Sequence, residues 1–330
     1  TDQDTFIIEN EGTAPTKPIF ELTAKEPVTF AMVSDGERYN MIGRPADVEQ
    51  DVVDERILKL EERGETLNEW TTSGARVDGT VSGQFGTDGT GITVLNYGTG
   101  PRWHGPALIR EIAPIQDFEI EMQCRVDTSQ PNQTFRIEFY LFDEYMNDIG
   151  KMAVMDSSDK LIFFVAEGRY GPFVAPHVNY AISSRNYQIR ERHFHGMLRM
   201  KRIGQRFEFY VARMGSGETP RHFDTLTQVF NDVNNEYQGK LRYVLIHIGK
   251  FSGTGSPNVP RINSFKVYEH IQVNEDQTPY IAYPGDVITF DHTTNELLLN
   301  GEDVKRLKDF GGEYFDLPKG FTTLTVLPEG

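Results

Sequence analysis

Residues Thr134–Asp143 read TFRIEFYLFD, with Phe135, Ile137, Phe139 and Leu141 alternating against Arg136, Glu138, Tyr140 and Phe142. Successive side chains of a strand point to opposite faces, so a period of two predicts a strand with one face on a core. The pattern recurs. In DFEIEMQCRVD, Phe118, Ile120, Met122, Cys124 and Val126 alternate with polar residues. Met197–Val211 reads as a hairpin, with Leu198 and Met200 on one arm, a turn near Gly204, and Phe207, Phe209 and Val211 on the other. LRYVLIHIG (241–249) sets Val244, Ile246 and Ile248 against Tyr243, Leu245 and His247, and Ile262, Phe265 and Val267 close the series. Many short β runs joined by polar loops between Leu67 and Ile271 predict a two-sheet sandwich. No internal repeat is evident. Hydrophobic residues make up 38% and charged residues 25%, as in ordinary globular proteins.

The flanks differ. In residues 1–45, Gly12, Pro15 and Pro18 punctuate the chain. Ile19, Phe20 and Leu22 with Val28 and Phe30 predict two short strands. Residues 46–66 are acidic, and Ile57, Leu58 and Leu60 fit either a strand or a short helix. After Asn274 come two strands about the turn His292–Asn295 and a tight turn at Asn300-Gly301. A short helical piece over Asp303–Phe310 and a final strand follow.

A length of 330 residues suggests two domains. The formal net charge of −16 excludes a nucleic-acid footprint and disfavours anionic membranes. No apolar run approaches the roughly 18 residues of a membrane-spanning helix. The one cysteine, Cys124, falls on the buried face of its strand and reads as an inert thiol. The chain starts TDQDTF rather than with Met, which reads as a fragment or a processed form.

Two stretches carry candidate chemistry. YGTGPRWHGPAL (97–108) sets Tyr97, Arg102, Trp103 and His104 among glycines and prolines that hold turns. An aromatic on a turn offers a flat apolar face, the complement of the C–H face of a pyranose, and Arg102 and His104 can bond its hydroxyls. The same residues also suit an anchor packed beneath its own loop. EGRYGPFVAPHVNYAISSRNY (167–187) carries Tyr170, Phe173, Tyr180 and Tyr187 on a loop-forming background, and both a binding surface and a folded loop fit it.

Other sets are weaker. Glu191, His193 and His195 alternate as metal ligands do on a strand, and a solvated face fits them as well. Asp78, Asp88, Asp143 and Asp156 are calcium-type donors whose spacing selects no site. No cofactor is expected, and calcium is an option without support from spacing. Asp117, Glu119 and Glu121 share one strand face, the placement of the carboxylate pair in glycosidases of concanavalin-like fold. DFEIEMQ departs from the Glu-x-Asp-x-Glu run of such enzymes. No nucleophile triad, phosphate loop or dinucleotide fingerprint is present.

The segments GTAPTKPIFEL (12–22), PYIAYPGDVITFDHTTNELLLNGEDV (279–304) and YFDLPKG (314–320) together resemble the C-terminal half of the distal tail protein of long-tailed phages. RYNMIGRP (38–45), YGTGPRWHGPAL (97–108), IGKMAVMD (149–156), GMLRMKRIG (196–204) and LIHIG (245–249) resemble the insert of the "evolved" type of that family. Residues 157–195 depart from the family pattern.

The resemblance implies an all-β chain: a galectin-like β-sandwich, 1–45 plus 275–330, split by an inserted concanavalin/laminin-G-like β-sandwich (jelly roll) at 54–270. Linkers fall at 46–53 and 271–274. It implies a non-enzymatic virion protein of the tail tip, or baseplate, whose inserted carbohydrate-binding module grips host cell-surface polysaccharide during adsorption. Its partners would be that polysaccharide and other tail and baseplate proteins, with no nucleic acid and no membrane. The family's N-terminal ring-forming domain has no counterpart in these residues, so the expected hexamer belongs to the full-length protein and a monomer to this fragment. A glycoside hydrolase of concanavalin-like fold and a hub without ligand are the rival readings.

Overall fold

The structure, a computed structural model, describes residues 4–47, 49 and 51–329. Val48 and Gln50, within the expected linker 46–53, lie outside the described residues. The expected all-β class holds. The described residues contain no α-helix, and the helical piece expected over Asp303–Phe310 shrinks to a 3-10 turn at Lys305–Leu307. Gly311-Gly312 leave that segment too short to nucleate a helix. Ile57, Leu58 and Leu60, ambiguous in sequence, lie on the strand Arg56–Glu62.

The chain forms two compact units. One comprises residues up to Glu55, Gly215–His222 and residues from Ile271 on. The other comprises Arg56–Met214 and Phe223–His270.

The first unit contains two four-stranded sheets. One runs in the order Asp4–Asn10, Gly320–Glu329, Phe30–Ser34, Tyr39–Gly43, and the other Ile19–Thr23, Val287–Asp291, Glu296–Leu299, Glu302–Asp303. Ala31, Val33, Ile42 and Leu324 of the first sheet share one core with Ile288, Phe290 and Leu297 of the second. Asn295 and Asn300 adopt positive φ, as tight turns between paired strands require.

The second unit is a larger sandwich of a nine-stranded and an eight-stranded sheet. Its core takes one alternate set from each strand. Ile137, Phe139, Leu141, Met152, Val154, Val244, Ile246 and Ile248 come from the nine-stranded sheet. Ile120, Met122, Cys124, Leu198, Met200, Phe207, Phe209, Phe265 and Val267 come from the other. Cys124 is buried, and burial pushes its thiol far up, so it is inert. The hairpin His193–Ile203 with Arg206–Met214 turns at Gly204 with φ +54°.

The other face of the nine-stranded sheet is what positions the candidate site. The strand Phe135–Asp143 is buried along its whole length. One alternate set fills the core, so its opposite face must also be covered.

Candidate functional site

Four strands of the nine-stranded sheet lie side by side in the order Phe164–Tyr170, Asp148–Asp156, Phe135–Asp143, Leu241–Phe251. With Ile137, Phe139 and Leu141 in the core, the period of two turns Arg136, Glu138 and Tyr140 to the outer face. Register places their neighbours: Glu138 lies between Ala153 and His247, Tyr140 beside Lys151, Lys151 beside Arg169, and Ala153 beside Glu167. Three cations and two carboxylates thus share one sheet surface, with the short side chain of Ala153 between Glu138 and Glu167 in register.

This floor is tightly bonded. Lys151 Nζ lies 2.7 Å from Glu138 Oε2 and 3.4 Å from Glu167 Oε2. Tyr140 donates to Glu138 Oε1 (2.9 Å), and His247 Nδ1 is 2.7 Å from the same oxygen. Burial alone would raise the Glu138 carboxyl. Lys151, Arg136 and the hydrogen bond from His247 outweigh it and hold Glu138 well below the usual carboxylate range. Burial, reinforced by Glu138, pushes the Tyr140 phenol far up.

The segment carrying Asp78 clamps onto this surface. The Asp78 N–H donates to Tyr140 Oη (3.0 Å), and Arg136 Nη1 donates to the Asp78 carbonyl (3.0 Å). Arg169 Nη1 donates to the Asp78 carboxylate (2.6 Å), with Lys151 Nζ 3.4 Å from the same oxygen. Ala75 and Val77 of this segment pack on Ala107, Ile109, Tyr140, Phe142 and Leu245, covering one end of the outer face. Arg136, Lys151 and Arg169 are therefore balanced by Asp78, Glu138 and Glu167, and the floor is close to neutral.

Three of the aromatic candidates surround it. Trp103 is half-buried, with the Arg136 guanidinium 4.6 Å from its ring centroid and Phe251 edge-on at 5.6 Å. Phe173 is 51% exposed, with the Arg169 guanidinium 5.6 Å from its ring. Tyr180, 39% exposed, pairs in register with Arg169. Burial and then the Glu167 charge raise its phenol. The turn leading to Phe173 needs glycine: Gly171 has φ +67°, and a Cβ there would strike the Tyr237 ring.

The remaining candidates go elsewhere. Tyr97 packs against the main core, and burial pushes its phenol far up. His104 is buried, its Nδ1 3.0 Å from the Arg102 carbonyl, while the Arg102 side chain is exposed. Tyr170 stacks on Phe230 with centroids 3.5 Å apart, so one ring face is taken by the protein itself. Tyr187 is 5% exposed within the core and offers no face to a ligand.

Glu119 and Glu121 lie on the eight-stranded sheet, in the other layer, where Arg56 Nη2 bonds both at 2.5 and 2.7 Å. Asp117 precedes that strand and accepts the Gly204 N–H. Glu191 falls outside the strand His193–Ile203, and His193 lies 2.8 Å from Asp127. Asp88 pairs with Arg261, and Asp143 accepts the Tyr145 and Asn147 N–H groups. Asp156 accepts the Ser158 N–H. Among the described residues no three His, Cys, Asp or Glu side chains converge as a metal site.

Sequence reasoning missed Arg136, Glu138, Lys151, Glu167, Arg169 and His247 as site residues, and it named Asp78 only as a calcium-type donor, where the structure pairs it with Arg169 and Lys151. A signal existed. Arg136, Glu138 and Lys151 sit in β runs otherwise built of apolar residues, and a charge in such a run is costly unless it is paired.

No family model matches the sequence, and no curated protein matches it. Solved structures do match in fold. The chain is similar to the CBM2 module of the evolved Dit of Lactobacillus casei BL23 phage J-1, at 14% identity and a TM-score of 0.54 over 67% of this chain and 100% of that one. It also aligns with SCLam, a non-specific endo-β-1,3(4)-glucanase from family GH16, at 10% identity and a TM-score of 0.41 over 78% and 97%. A third match is the laminarinase catalytic domain from Thermotoga maritima, at 9% identity and a TM-score of 0.40 over 66% and 100%. The first likeness is one of fold alone, a β-sandwich of the kind that module has, over the 67% of this chain that it covers.

Proposed function

We propose that the second unit is a carbohydrate-binding module that grips polysaccharide without cleaving it, within a tail-tip protein of a long-tailed phage. The observation that carries this reading is the ring of Trp103, Phe173 and Tyr180 around a neutral floor of fixed donors and acceptors. Aromatic faces suit the C–H faces of sugar rings, and paired charges suit hydroxyls without favouring an ionic ligand. The fold shared with a module named as part of a phage Dit supports the setting, as do the flanking segments that resemble that family.

The carboxylates favour binding over hydrolysis. A glycosidase needs one carboxylic acid protonated at working pH and a second carboxylate at the scissile bond. Glu138 is held ionised by Lys151, Arg136 and His247, and Glu119 by His270, Arg56 and the other cations around it; burial and the Glu119 charge raise Glu121, but Arg56 Nη2 bonds both of these carboxylates and occupies the face they share. Each site would be weak, because an exposed sugar repays little of its ordering cost. Several copies at a symmetric tail tip would raise the effective concentration.

Co-sedimentation of the chain with purified cell walls from a panel of Gram-positive bacteria tests the reading. Retention on one wall type and release by its soluble polysaccharide are expected. Retention on none of them would favour the hub without ligand.

A further inference from the structure

A second concave feature lies apart from the floor. It is a cavity of about 340 Å³ lined by Asn132, Thr134, Asp159, Phe251, Ser252 and Thr254. Its walls are fixed. Thr134 Oγ1 accepts the Phe251 N–H (3.0 Å) and lies 2.7 Å from Thr254 Oγ1, which donates to the Phe251 carbonyl (2.7 Å). Gly255 N–H donates to the Asn132 carbonyl (2.8 Å), and Ser252 N–H to the Arg102 carbonyl (2.9 Å). Lys250 Nζ ties down the Thr254 carbonyl at 2.6 Å. Trp103 stands between cavity and floor, edge-on to Phe251 and stacked on Arg136.

Resting on the reading above, we infer that this cavity is a separate subsite for one neutral pyranose unit, a chain end or side branch of the polysaccharide. Its volume lies at the small end of ligand pockets. The Asp159 carboxylate, the Asn132 carboxamide and the Ser252 hydroxyl have no protein partner among the described residues, and they supply acceptors and donors in the mix that vicinal hydroxyls need. Phe251 gives the apolar wall. A single carboxylate repels anions and is too few for a hard cation, which takes six to eight oxygens.

The test is saturation-transfer NMR with methyl glycosides of glucose, galactose, mannose, rhamnose and N-acetylglucosamine. At least one glycoside should give a signal that Ser252→Trp, which fills the cavity, and Asp159→Ala both abolish, while Tyr180→Ala leaves it intact. No signal from any glycoside, or a signal that survives both cavity variants, overturns the subsite. Wall co-sedimentation of the parent keeps the two proposals apart. Wall binding by the parent without a cavity-dependent glycoside signal sinks the subsite alone, and absence of both in the parent sinks the module.

Discussion

Arg56 and His270, the first and last residues of the second unit, face each other in register on adjacent antiparallel strands. One carboxylate holds both: Glu119 Oε1 accepts from Arg56 Nη2 at 2.5 Å, and Glu119 Oε2 lies 3.0 Å from His270 Nε2. Lys201 Nζ lies 3.6 Å from the same carboxylate. The strands by which the chain joins and leaves this sandwich are thus stapled by a residue of a third strand. Glu119→Gln keeps the shape and removes the charge. Removing one partner of a buried ion pair costs about 3 kcal/mol, so a fall of that size in urea stability is expected. The variant should bind polysaccharide as the parent does.

Lys151→Met tests the floor in the same way. It leaves Glu138 buried with only Arg136, His247 and Tyr140 around it. A loss of about 3–5 kcal/mol is expected from chemical denaturation, with the variant more acid-tolerant relative to its own neutral-pH stability. The sign follows from Glu138, whose folded pKa is depressed below the ordinary 4.5. Its contribution is full above that value and is lost as pH falls through the folded value. Without Lys151 less remains to lose.

Asp156 behaves oppositely. Burial raises its carboxyl from 3.8 to about 6, against hydrogen bonds from the Ser158 and Phe163 backbone. A raised carboxyl contributes stability that is full below 3.8 and lost as pH rises through about 6. Asp156→Asn keeps an acceptor for those N–H groups and cannot ionise. Its melting temperature should gain on the parent as pH rises from about 4 to about 7. Parallel curves across that range would contradict the assignment.

Tyr187 and Tyr180 separate packing from binding. Tyr187→Ala empties a core position, and truncating a buried large aromatic costs about 3–5 kcal/mol. The effect should be seen in denaturation, with wall binding intact wherever the protein remains folded. Tyr180→Ala, at an exposed rim position, should leave the denaturation midpoint within about 0.5 kcal/mol and weaken binding instead.

The sheets were legible because alternation is local. TFRIEFYLFD and LRYVLIHIG each turn the expected set, Ile137, Phe139 and Leu141 with Val244, Ile246 and Ile248, into one core. The Gly204 turn and the Asn300-Gly301 turn were equally local, since positive φ selects its residues. The floor was not legible. Glu138, Lys151 and Arg169 come from three successive strands and Asp78 from a remote segment, and only strand order and register bring them together. Loop aromatics were legible as a group and not one by one. Trp103, Phe173 and Tyr180 line the outer face, while Tyr170 meets Phe230 and Tyr187 enters the core, distinctions made by pairing across the sandwich. Glu119 and Glu121 did share a face as their spacing required, yet that face belongs to the other sheet and is occupied by Arg56.

The most direct test of the central claim is titration of the labelled chain with the polysaccharide that the wall panel identifies, for the parent and for Phe173→Ala/Tyr180→Ala, with reducing ends measured in the same tubes. Binding should weaken at least about tenfold in the double variant, equivalent to about 1.4 kcal/mol. Its melting temperature should be unchanged, and no reducing ends should form with either protein. Undiminished binding by the double variant, or reducing ends that accumulate with the parent, would contradict the account.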